Sequence, residues 1–517
     1  MPTLAWVSTG ADTGVGQPGF VARHGLLSGS AVALAREVAE KIRINHLRTV
    51  RLAVVDQHGI TRARALSPDA AIAAFNDGLD FSGAIYSLDT GNNVFVPPFA
   101  AGGGFGIGEF TGFPDIVVVP DPSTFVILSW ADSTGWLLCD AYFASGEPIP
   151  LDGRGLLKRQ LASLATAGYA LKVGLEVEFS IFAPLHAPLS PENAGFTPPP
   201  PAVSIFERGY QFLSETRLDS MAATLETLRD ALWAVGLPPR SMEDEWGPGQ
   251  VEVTFAPLNG LAAADAAVLF RSTVKQVCQR RGLLASFMCR PGLANITSSG
   301  WHLHQSLAAR GAATATATAT ERANVFAAED APMSGVGLCY VAGLLEHAIA
   351  SLPFAVPTVN GYKRFRPYSF APDRVTWAIE NRGALVRVQG SPGDANAHVE
   401  YRAGEPAANP YLYIAASLAA GMDGVTRKLT PPPPVDADPY AATDAVPLPT
   451  SLAVAVKALD DDPFYRAAFG DALVDYLVMM KRAELARYDA WLASTHAADS
   501  SADEVTDWEM REYFEFY

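Results

Sequence analysis

The chain has few cysteines, a shortage of positive charge and no long apolar run. Cysteine occurs four times in 517 residues, without a Cys-x-x-Cys pair, which argues against a disulfide-built scaffold and favours a reducing, cytoplasmic environment. Lysine and arginine number 38 against 55 aspartates and glutamates, a net charge of −17, so nucleic acid and anionic membranes are poor partners. No stretch reaches about 18 uninterrupted apolar residues, so no transmembrane segment is predicted.

Apolar sequence, by contrast, is plentiful. Hydrophobic residues make up 49% of the chain and charged residues 18%, which is enough to build a large buried core. Strand-like and helix-like segments mix without a regular β-α-β period, and this favours an α+β fold over a doubly wound α/β fold. The chain is predicted to divide into a loose leader at residues 1–30, a small domain at 31–145 and a large unit at 146–517. Three low-complexity stretches are expected to be surface loops, at 198–201, 313–320 and 431–434.

Hydrophobic periodicity also predicts individual elements. Helical spacing predicts helices at 31–47, 155–167, 220–235, 262–281, 335–351 and 409–422, and amphipathic helices within 451–493. Alternation predicts a β-hairpin from 49–55 and 60–66, and strands at 172–182, 250–255, 300–307, 384–388 and 398–402. The strands of the small domain are expected to be antiparallel.

Two glutamates stand in one of these apolar strands. On a strand, Glu176 and Glu178 project to the same face, and like charges side by side are unfavourable unless a positive group lies between them. A divalent cation is one interpretation, because Mg²⁺ and Mn²⁺ prefer oxygen ligands. A solvent-facing strand edge is the other.

Two further motifs offer metal ligands. Glu245 and Glu252 flank a rigid Gly-Pro-Gly turn, which suits a metal ion or a cationic substrate group, or is an ordinary tight turn with exposed acids. His302 and His304 share one strand face, either as metal ligands or as a packed pair. Ser306 lies near His304, but no Gly-x-Ser-x-Gly elbow frames it, so nucleophilic catalysis is disfavoured.

Arginines suited to anions follow in an otherwise acidic chain. Arg364, Arg382 and Arg387 lie among apolar residues, where guanidinium groups favour planar oxyanions, and surface salt bridges are the alternative. Glu400 and Arg402 share a strand face. Five glutamates and one histidine in strand or turn contexts, followed by these arginines, fit metal-assisted phosphoryl transfer. The chain has no Gly-x-x-x-x-Gly-Lys phosphate loop, so a nucleotide must be held in another way.

Six ordered motifs make the chain resemble the glutamine synthetase family, and within it the glutamine synthetase-like γ-glutamylamine ligases (enzymes similar to γ-glutamylanilide or γ-glutamylpolyamine synthetases). The motifs are Glu-Val-Glu, Gly-Pro-Gly-Gln-Val-Glu, Ser-Gly-Trp-His-Leu-His-Gln-Ser-Leu, Asn-Gly-Tyr-Lys-Arg, Glu-Asn-Arg-Gly-Ala-Leu-Val-Arg and Glu-Tyr-Arg-Ala-Gly-Glu-Pro-Ala-Ala-Asn-Pro-Tyr, and the resemblance covers about residues 45–515. It implies an N-terminal β-grasp domain and a large catalytic domain with a curved antiparallel sheet. It also implies active sites between subunits of a homo-oligomer, a dodecamer of two hexameric rings.

The resemblance also implies roles for individual residues. The ligands of one cation match Glu178, Glu245 and Glu252, and those of a second cation match Glu176, His302 and Glu400. Nucleotide contacts match His304 and Ser306, and phosphate-stabilising residues match Arg382 and Arg387. The glutamate site matches Ser298, Gly300, Arg364 and Arg402, and the acid that a neighbouring subunit offers to the incoming amine matches Asp56. Two or three Mg²⁺ or Mn²⁺ ions per site and ATP as co-substrate are expected.

Departures from the family pattern indicate which amine the enzyme uses. Glutamine synthetases have a glutamate, which helps to bind ammonium, just before the Ala-Pro that follows the Lys-Arg motif, whereas Phe370 stands here. A hydrophobic gate suits an amine with an apolar body. His398 replaces a common arginine, and Thr297-Ser298 replaces Asn-Gly, which alters nucleotide and α-amino contacts.

The resemblance therefore implies an ATP-dependent ligase that joins L-glutamate to an organic amine through γ-glutamyl phosphate in amine catabolism. An aniline-like aromatic amine is the first expectation, followed by short alkyl amines and then polyamines. A glutamine synthetase that uses ammonium is disfavoured by Phe370. A non-catalytic ring-forming relative is the alternative from another class, although the residues that match all six metal ligands are present.

Overall fold

The computed structural model describes residues 18–185, 190–209, 211–310, 321–495 and 503–517. Within this part of the chain a small sheet comes first. Its elements are α1 (Phe20–His24), α2 (Gly29–Ile44), β1 (Thr49–Val55), β2 (Thr61–Leu66), α3 (Pro68–Asp77), β3 (Leu79–Ser82), β4 (Asp115–Pro120), β5 (Val126–Ile127) and β6 (Thr134–Tyr142). The strand order is β2-β1-β6-β4-β3, with β5 paired to β6.

The predicted hairpin is present, but the small sheet is not purely antiparallel. β1 and β2 pair antiparallel, with Val50 opposite Leu66. β1 and β6 pair in parallel, with Thr49 opposite Thr134, so the expectation of an antiparallel sheet is wrong at this pair. Side-chain alternation marks a strand but carries no direction, and here the long connection through α3 and β4 returns the chain in the same direction.

Part of the predicted leader is packed rather than loose. Residues 18–30 include α1 and the start of α2, and Phe20 and Val21 are buried with Val117 and Val119 of β4. Residues 1–17 lie outside the described part of the chain. The predicted boundaries of the parts at residues 30 and 145 stay predictions.

A second, larger sheet with its helices follows. Its elements are α4 (Gly153–Thr166), β7 (Tyr169–Pro184), β8 (Val203–Ile205), α5 (Glu215–Ala234), β9 (Pro239–Asp244), β10 (Gln250–Phe255), β11 (Leu258–Asn259), α6 (Gly260–Arg280), β12 (Leu284–Ser286), β13 (Trp301–Arg310), β14 (Glu321–Asn324), α7 (Gly335–Glu346), α8 (Ala348–Ala355), β15 (Trp377–Ile379), β16 (Val386–Gln389), β17 (His398–Tyr401), α9 (Pro410–Arg427), α10 (Leu452–Asp461), α11 (Pro463–Phe469), α12 (Asp471–Thr495) and α13 (Asp507–Tyr513). The strand order is β15-β16-β17-β13-β7-β10-β9, antiparallel except between β15 and β16.

The two faces of this sheet have different chemistry. Along β7, Val173, Leu175, Val177 and Phe179 are buried on the face that α4 and α6 cover. Burial of each such side chain stabilises the folded state by about 1.5–3 kcal/mol relative to exposure to water. The alternate residues of β7 point to the opposite face and carry the carboxylates of the site. The α+β fold predicted from the sequence is confirmed, and the sheet holds the acidic strand at its centre.

The helix predicted at 335–351 is wrong as a single element. α7 and α8 meet at His347 with a bend of 79°, and Pro353 within α8 lacks the N–H that a continuous helix would use. At the bend the His347 ring donates to Asp423 of α9 at 2.8 Å and stacks on Phe464 at 3.8 Å. In the described part of the chain no single helix is long and apolar enough to cross a membrane, and α7 with α8 reaches that length only as a bent pair.

The helices and strands predicted elsewhere are present, with ends that differ by up to five residues. The proline-rich stretches at 198–201 and 431–434 contain neither helix nor strand. The predicted loop at 313–320 lies outside the described residues.

Candidate active site

Strand register brings the candidate ligands to one face of the large sheet. Glu178 of β7 lies opposite Glu252 of β10, and Glu176 lies opposite His302 of β13. His304 in turn lies opposite Glu400 of β17. Directly opposed residues, and residues two apart on one strand, project to the same side. Strand pairing alone therefore brings together side chains that are far apart in the sequence.

Two overlapping groups of side chains could hold a metal ion. Glu176, Glu252 and His302 form one group, and Glu176, His304 and Glu400 form the other, with the ligand atoms of each group within 4.8 Å of one another. Carboxylate oxygens with one imidazole suit Mg²⁺ or Mn²⁺. This grouping differs in detail from the two predicted ligand sets, since it puts His304 with Glu176 and Glu400. The roles of the individual ligands stay predictions.

Three glutamates in the site are difficult to ionise. Burial, followed by the charge of Glu245, raises the pKa of Glu178 to about 8. Burial and the charge of Glu176 raise the pKa of Glu252 to about 10, and burial raises the pKa of Glu245 to about 7. Carboxylates crowded in this way repel one another unless a cation compensates them. The donor set therefore fits the divalent metal that the motifs predict.

Glu176 is ionised because both histidines donate to it. Arg364 Nη2 donates to His302 Nε2 at 3.1 Å, so His302 carries its proton on Nδ1 and donates to Glu176 Oε1 at 2.6 Å. His304 Nε2 donates to Glu176 Oε2 at 3.0 Å. Burial alone would raise the pKa of Glu176, but these two hydrogen bonds hold it well below its usual range. Burial and the charge of Arg402 lower the pKa of His302 to about 4, so its imidazole is neutral.

Arginines surround the buried Glu400. Its carboxylate accepts from Arg402 Nη1 and, at 3.1 Å, from Arg387 Nη1. Burial would raise the pKa of Glu400, but the charge of Arg402 lowers it overall. Arg364 Nη1 donates to the main-chain carbonyls of Arg402, Ala403 and Gly404 at 3.1–3.2 Å. These contacts fix the guanidinium groups beside the carboxylates before any anion arrives.

Gly300 is required by close packing at the centre of the site. A Cβ atom at this position would lie 2.7 Å from Arg364 Nη2 and 3.0 Å from His302 Nε2. Its carbonyl accepts from the Glu178 N–H at 3.0 Å. Gln250 ties the same region together, since its Nε2 donates to Glu178 Oε2 at 2.9 Å and to the Ser298 carbonyl at 3.2 Å.

One cavity of about 1670 Å³ collects most of the predicted site residues. Its lining includes Glu176, Glu178, Glu245, Glu252, Ser298, His302, His304, Ser306, Arg364, Phe370, Arg382, Arg387 and Arg402. Glu400 lies fully buried at its edge. A volume of this size accommodates a nucleotide together with two small substrates.

Asp56 is a predicted site residue that does not line this cavity in the described part of the chain. It lies in the turn between β1 and β2. Its buried carboxylate accepts from the N–H groups of His58 and Ile60 at 2.9 Å and from Arg62 Nε at 2.8 Å. The sequence assigned it to the site of a neighbouring subunit, and that assignment stays a prediction.

Two aromatic residues of the cavity were not singled out in the sequence. Trp246 stacks on Phe212 at a centroid distance of 4.6 Å and on Phe370 at 6.0 Å. Trp246 lies inside the Glu-Trp-Gly-Pro-Gly motif, which the sequence analysis interpreted through its glutamates as candidate metal ligands. Phe212 lies between Gln211 and Leu213, which both have positive φ, and no periodicity marks such a segment.

Cation binding to this site is expected to depend on pH. The raised pKa values mean that Glu178 and Glu252 hold protons near neutrality, and a metal ion must displace them. We therefore expect the affinity for Mn²⁺ to rise from pH 6 to pH 8, with release of roughly two protons at pH 7 from the ion that binds Glu178 and Glu252. Calorimetry in buffers of different ionisation enthalpy measures both. An affinity that is constant across this range contradicts the expectation, and Glu252→Gln should reduce the proton release.

Comparisons with known proteins agree with this geometry. The family model described as glutamine synthetase, catalytic domain, matches residues 150–513. The γ-glutamylanilide synthase of Acinetobacter sp is 41% identical over 505 residues, which cover 96% of this chain and 98% of that protein. The glutamine synthetase of Methanococcus voltae is 32% identical over 494 residues, 92% of this chain and 98% of that protein.

Solved structures give the same result for the fold. GmaS without ligand superimposes with a TM-score of 0.72 at 28% identity, over 89% of this chain and 98% of that one. A GmaS complex with ADP gives a TM-score of 0.71 at 27% identity, with the same coverage.

Proposed function

The chain belongs to the glutamine synthetase family, and we propose that the amine it joins to L-glutamate is an aromatic one. It is an ATP-dependent carbon–nitrogen ligase of the glutamine synthetase type, and this family requires ATP and divalent metal ions. The observation that carries the choice of amine is Phe370, which lines the cavity where glutamine synthetases have an ammonium-binding glutamate. The 41% identity to a γ-glutamylanilide synthase supports the same substrate class.

The chain's own residues prepare the first step. Arg364 and Arg402 hold the substrate glutamate, and Arg382 with Arg387 faces the transferred phosphate. The γ-carboxylate oxygen attacks the terminal phosphorus of ATP, the bond to the bridging oxygen breaks, and ADP leaves. Glu178, Glu245 and Glu252 would hold one cation, and Glu176, His302 and Glu400 a second, among two or three Mg²⁺ or Mn²⁺ ions per site. When bound, these ions neutralise phosphate oxygens and orient the nucleotide.

The second step makes the amide bond. The amine nitrogen attacks the acyl carbon of γ-glutamyl phosphate, the carbon–oxygen bond to phosphate breaks, and inorganic phosphate and a proton leave. An arylamine is uncharged near neutral pH, because its lone pair is delocalised into the ring. It needs no carboxylate at position 370 to attract it as a cation or to deprotonate it before attack. An apolar residue at position 370 therefore fits an arylamine better than it fits ammonium.

The oligomer and the cellular setting belong to the same proposal. The chain forms a ring-shaped homo-oligomer, a dodecamer of two hexamers, in which Asp56 of one subunit reaches the amine at the next. It acts in the cytoplasm, in the breakdown of aromatic amines. The four cysteines support a reducing compartment, since all four are free thiols and three of them are buried. Mass photometry of the purified protein tests the subunit number.

An amine panel tests the proposed function. Phosphate release is measured with ATP, glutamate and, in turn, aniline, methylamine, a polyamine and ammonium. We expect the highest kcat/KM with aniline, and mass spectrometry should find the γ-glutamylanilide. The highest turnover with ammonium would restore glutamine synthesis as the function. Equal ATP hydrolysis with and without glutamate would favour a non-catalytic relative instead.

A further inference from the structure

Three aromatic side chains form a stacked column at the cavity, here called the aromatic column: Phe212, Trp246 and Phe370. Phe212 and Trp246 are almost parallel, with an interplanar angle of 6°, and Trp246 and Phe370 meet at 19°. All three line the cavity and are 40%, 53% and 59% exposed, respectively. Contiguous apolar rings that still face water are typical of ligand-binding grooves and interaction surfaces.

The backbone holds this column in place at a conformational cost. Phe370 has φ +59°, and Gln211 and Leu213 on either side of Phe212 have φ +68° and +58°. Such left-handed conformations disfavour residues other than glycine and occur where the surroundings impose them, often at functional sites. Arg402 Nη2 donates to the Phe370 carbonyl at 3.0 Å, which fixes the loop that carries this ring.

The aromatic column lies between the proposed cation site and the proposed glutamate site. Trp246 directly follows Glu245, one of the proposed cation ligands, and the Glu245 carboxylate accepts from the Trp246 N–H at 3.2 Å. At the other end, Phe370 is bonded to Arg402, one of the proposed glutamate-holding residues. A ring placed against this column therefore lies between a proposed cation ligand and a proposed glutamate-holding residue.

We infer that Trp246 and Phe370 are the two walls of a slot for the planar ring of the amine, with Phe212 supporting Trp246 from behind. This inference rests on the proposed function and assigns specificity to Trp246 and Phe212, beyond the single replacement at Phe370. The wall rings are 6.0 Å apart between centroids. A ring between them needs about 7 Å, twice the roughly 3.5 Å contact distance of carbon atoms, so the slot opens by at least about 1 Å.

The slot selects for planarity and not simply for apolarity. An aryl ring in it gains two face-to-face contacts and covers both walls from water. A short alkyl amine covers neither wall fully and leaves the rings exposed to water. The tighter contact, at 4.6 Å, is between Phe212 and Trp246. The centroid distance between Trp246 and Phe370 is longer, at 6.0 Å, so Phe370 is the wall that moves when the slot opens.

Substitution of the two unassigned rings tests the slot in the full-length protein. We expect Trp246→Leu and Phe212→Leu each to lower kcat/KM for aniline, by about tenfold for Trp246 and less for Phe212, with kcat/KM for methylamine within about twofold. The Michaelis constants for ATP and glutamate should stay unchanged. Trp246→Phe, which keeps a stacking ring, should restore most of the aniline activity.

A binding measurement separates the slot from catalysis. N,N-dimethylaniline has the planar ring but no N–H to lose, so it should inhibit competitively with aniline, and its inhibition constant should rise about tenfold in Trp246→Leu. Trp233→Leu is the matched control, because Trp233 is 62% exposed on α5 outside the cavity, and it should change neither constant.

The possible outcomes distinguish this inference from the proposed function. If the wild type uses aniline but Trp246→Leu loses methylamine and aniline activity equally, Trp246 is only structural and the slot is wrong, while the function stands. If the aniline constants do not change in either variant, the slot is also wrong. If the wild type does not use arylamines at all, the proposed function fails and the slot fails with it.

Discussion

Replacement of Glu252 by alanine is expected to lower glutamate-dependent ATP turnover by roughly a thousandfold, the upper range for loss of one electrostatic partner in an active site. Glu252 lies opposite Glu178 across β10 and β7, and with Glu176 and His302 it forms a group that could hold a metal ion. Without its carboxylate the site loses one oxygen ligand and one negative charge. Phosphate release with saturating glutamate and aniline measures the effect, and calorimetry with Mn²⁺ should show weaker binding.

The same substitution should leave the fold intact or make it more stable. The pKa of Glu252 is raised to about 10, against about 4.5 in an unfolded chain, so its ionisation opposes folding. Without cations, this carboxyl group costs stability progressively as pH rises from about 4.5 towards 10, and the variant lacks that cost. At pH 8 in a chelator, the melting temperature of Glu252→Ala should equal or exceed that of the wild type. A large fall would mean that inactivity reflects misfolding.

Glu243 provides the matched control. It lies opposite Glu252 on β9 and its charge also raises the Glu252 pKa, but it belongs to neither metal-binding group. Glu243→Ala therefore removes a neighbouring charge without removing one of these ligands, and turnover should stay within roughly a few-fold of the wild type. Equal losses in both variants would contradict a specific role for Glu252 in coordination.

The convergence of the candidate metal ligands on one face of the sheet could be predicted from the sequence, because it follows from strand alternation. Glu176 and Glu178 share a face in any strand, and the motifs supplied the partners that register then places opposite them. The direction of β6 relative to β1 could not be predicted, because alternation is the same in parallel and antiparallel strands. The bend at His347 was also missed, because hydrophobic periodicity continues through it, and the contacts of His347 with Asp423 and Phe464 join residues that are distant in sequence.

The aromatic column shows a different limit. Phe212, Trp246 and Phe370 come from three separate loops, and none of them repeats at a helical or strand period. Their stacking depends on positive φ at Phe370 and beside Phe212, which residue type alone does not reveal. The sequence could flag Phe370 because it departs from a family pattern. The sequence did not single out Trp246, because no departure from a family pattern was recognised at this position and the neighbouring glutamates were interpreted as metal ligands.

Phe370→Glu is expected to shift the preference of the enzyme from aniline towards ammonium. The new carboxylate restores the charge that glutamine synthetases place here, and a charge-assisted hydrogen bond to ammonium contributes about 1.5–3 kcal/mol, or roughly 10- to 100-fold. The same change removes one wall of the slot and brings a charge against an aryl ring. Together these effects should shift the ratio of kcat/KM for ammonium over aniline by at least about a hundredfold.

Phe370→Leu separates the two contributions. It removes the ring that faces Trp246 but adds no charge, so aniline activity should fall about tenfold while ammonium activity stays at the wild-type level. Gain of ammonium activity only in Phe370→Glu assigns that gain to the carboxylate, because both variants lose the ring. If Phe370→Glu keeps the aniline preference, position 370 does not select the amine, and specificity must come from Trp246, Phe212 or a neighbouring subunit.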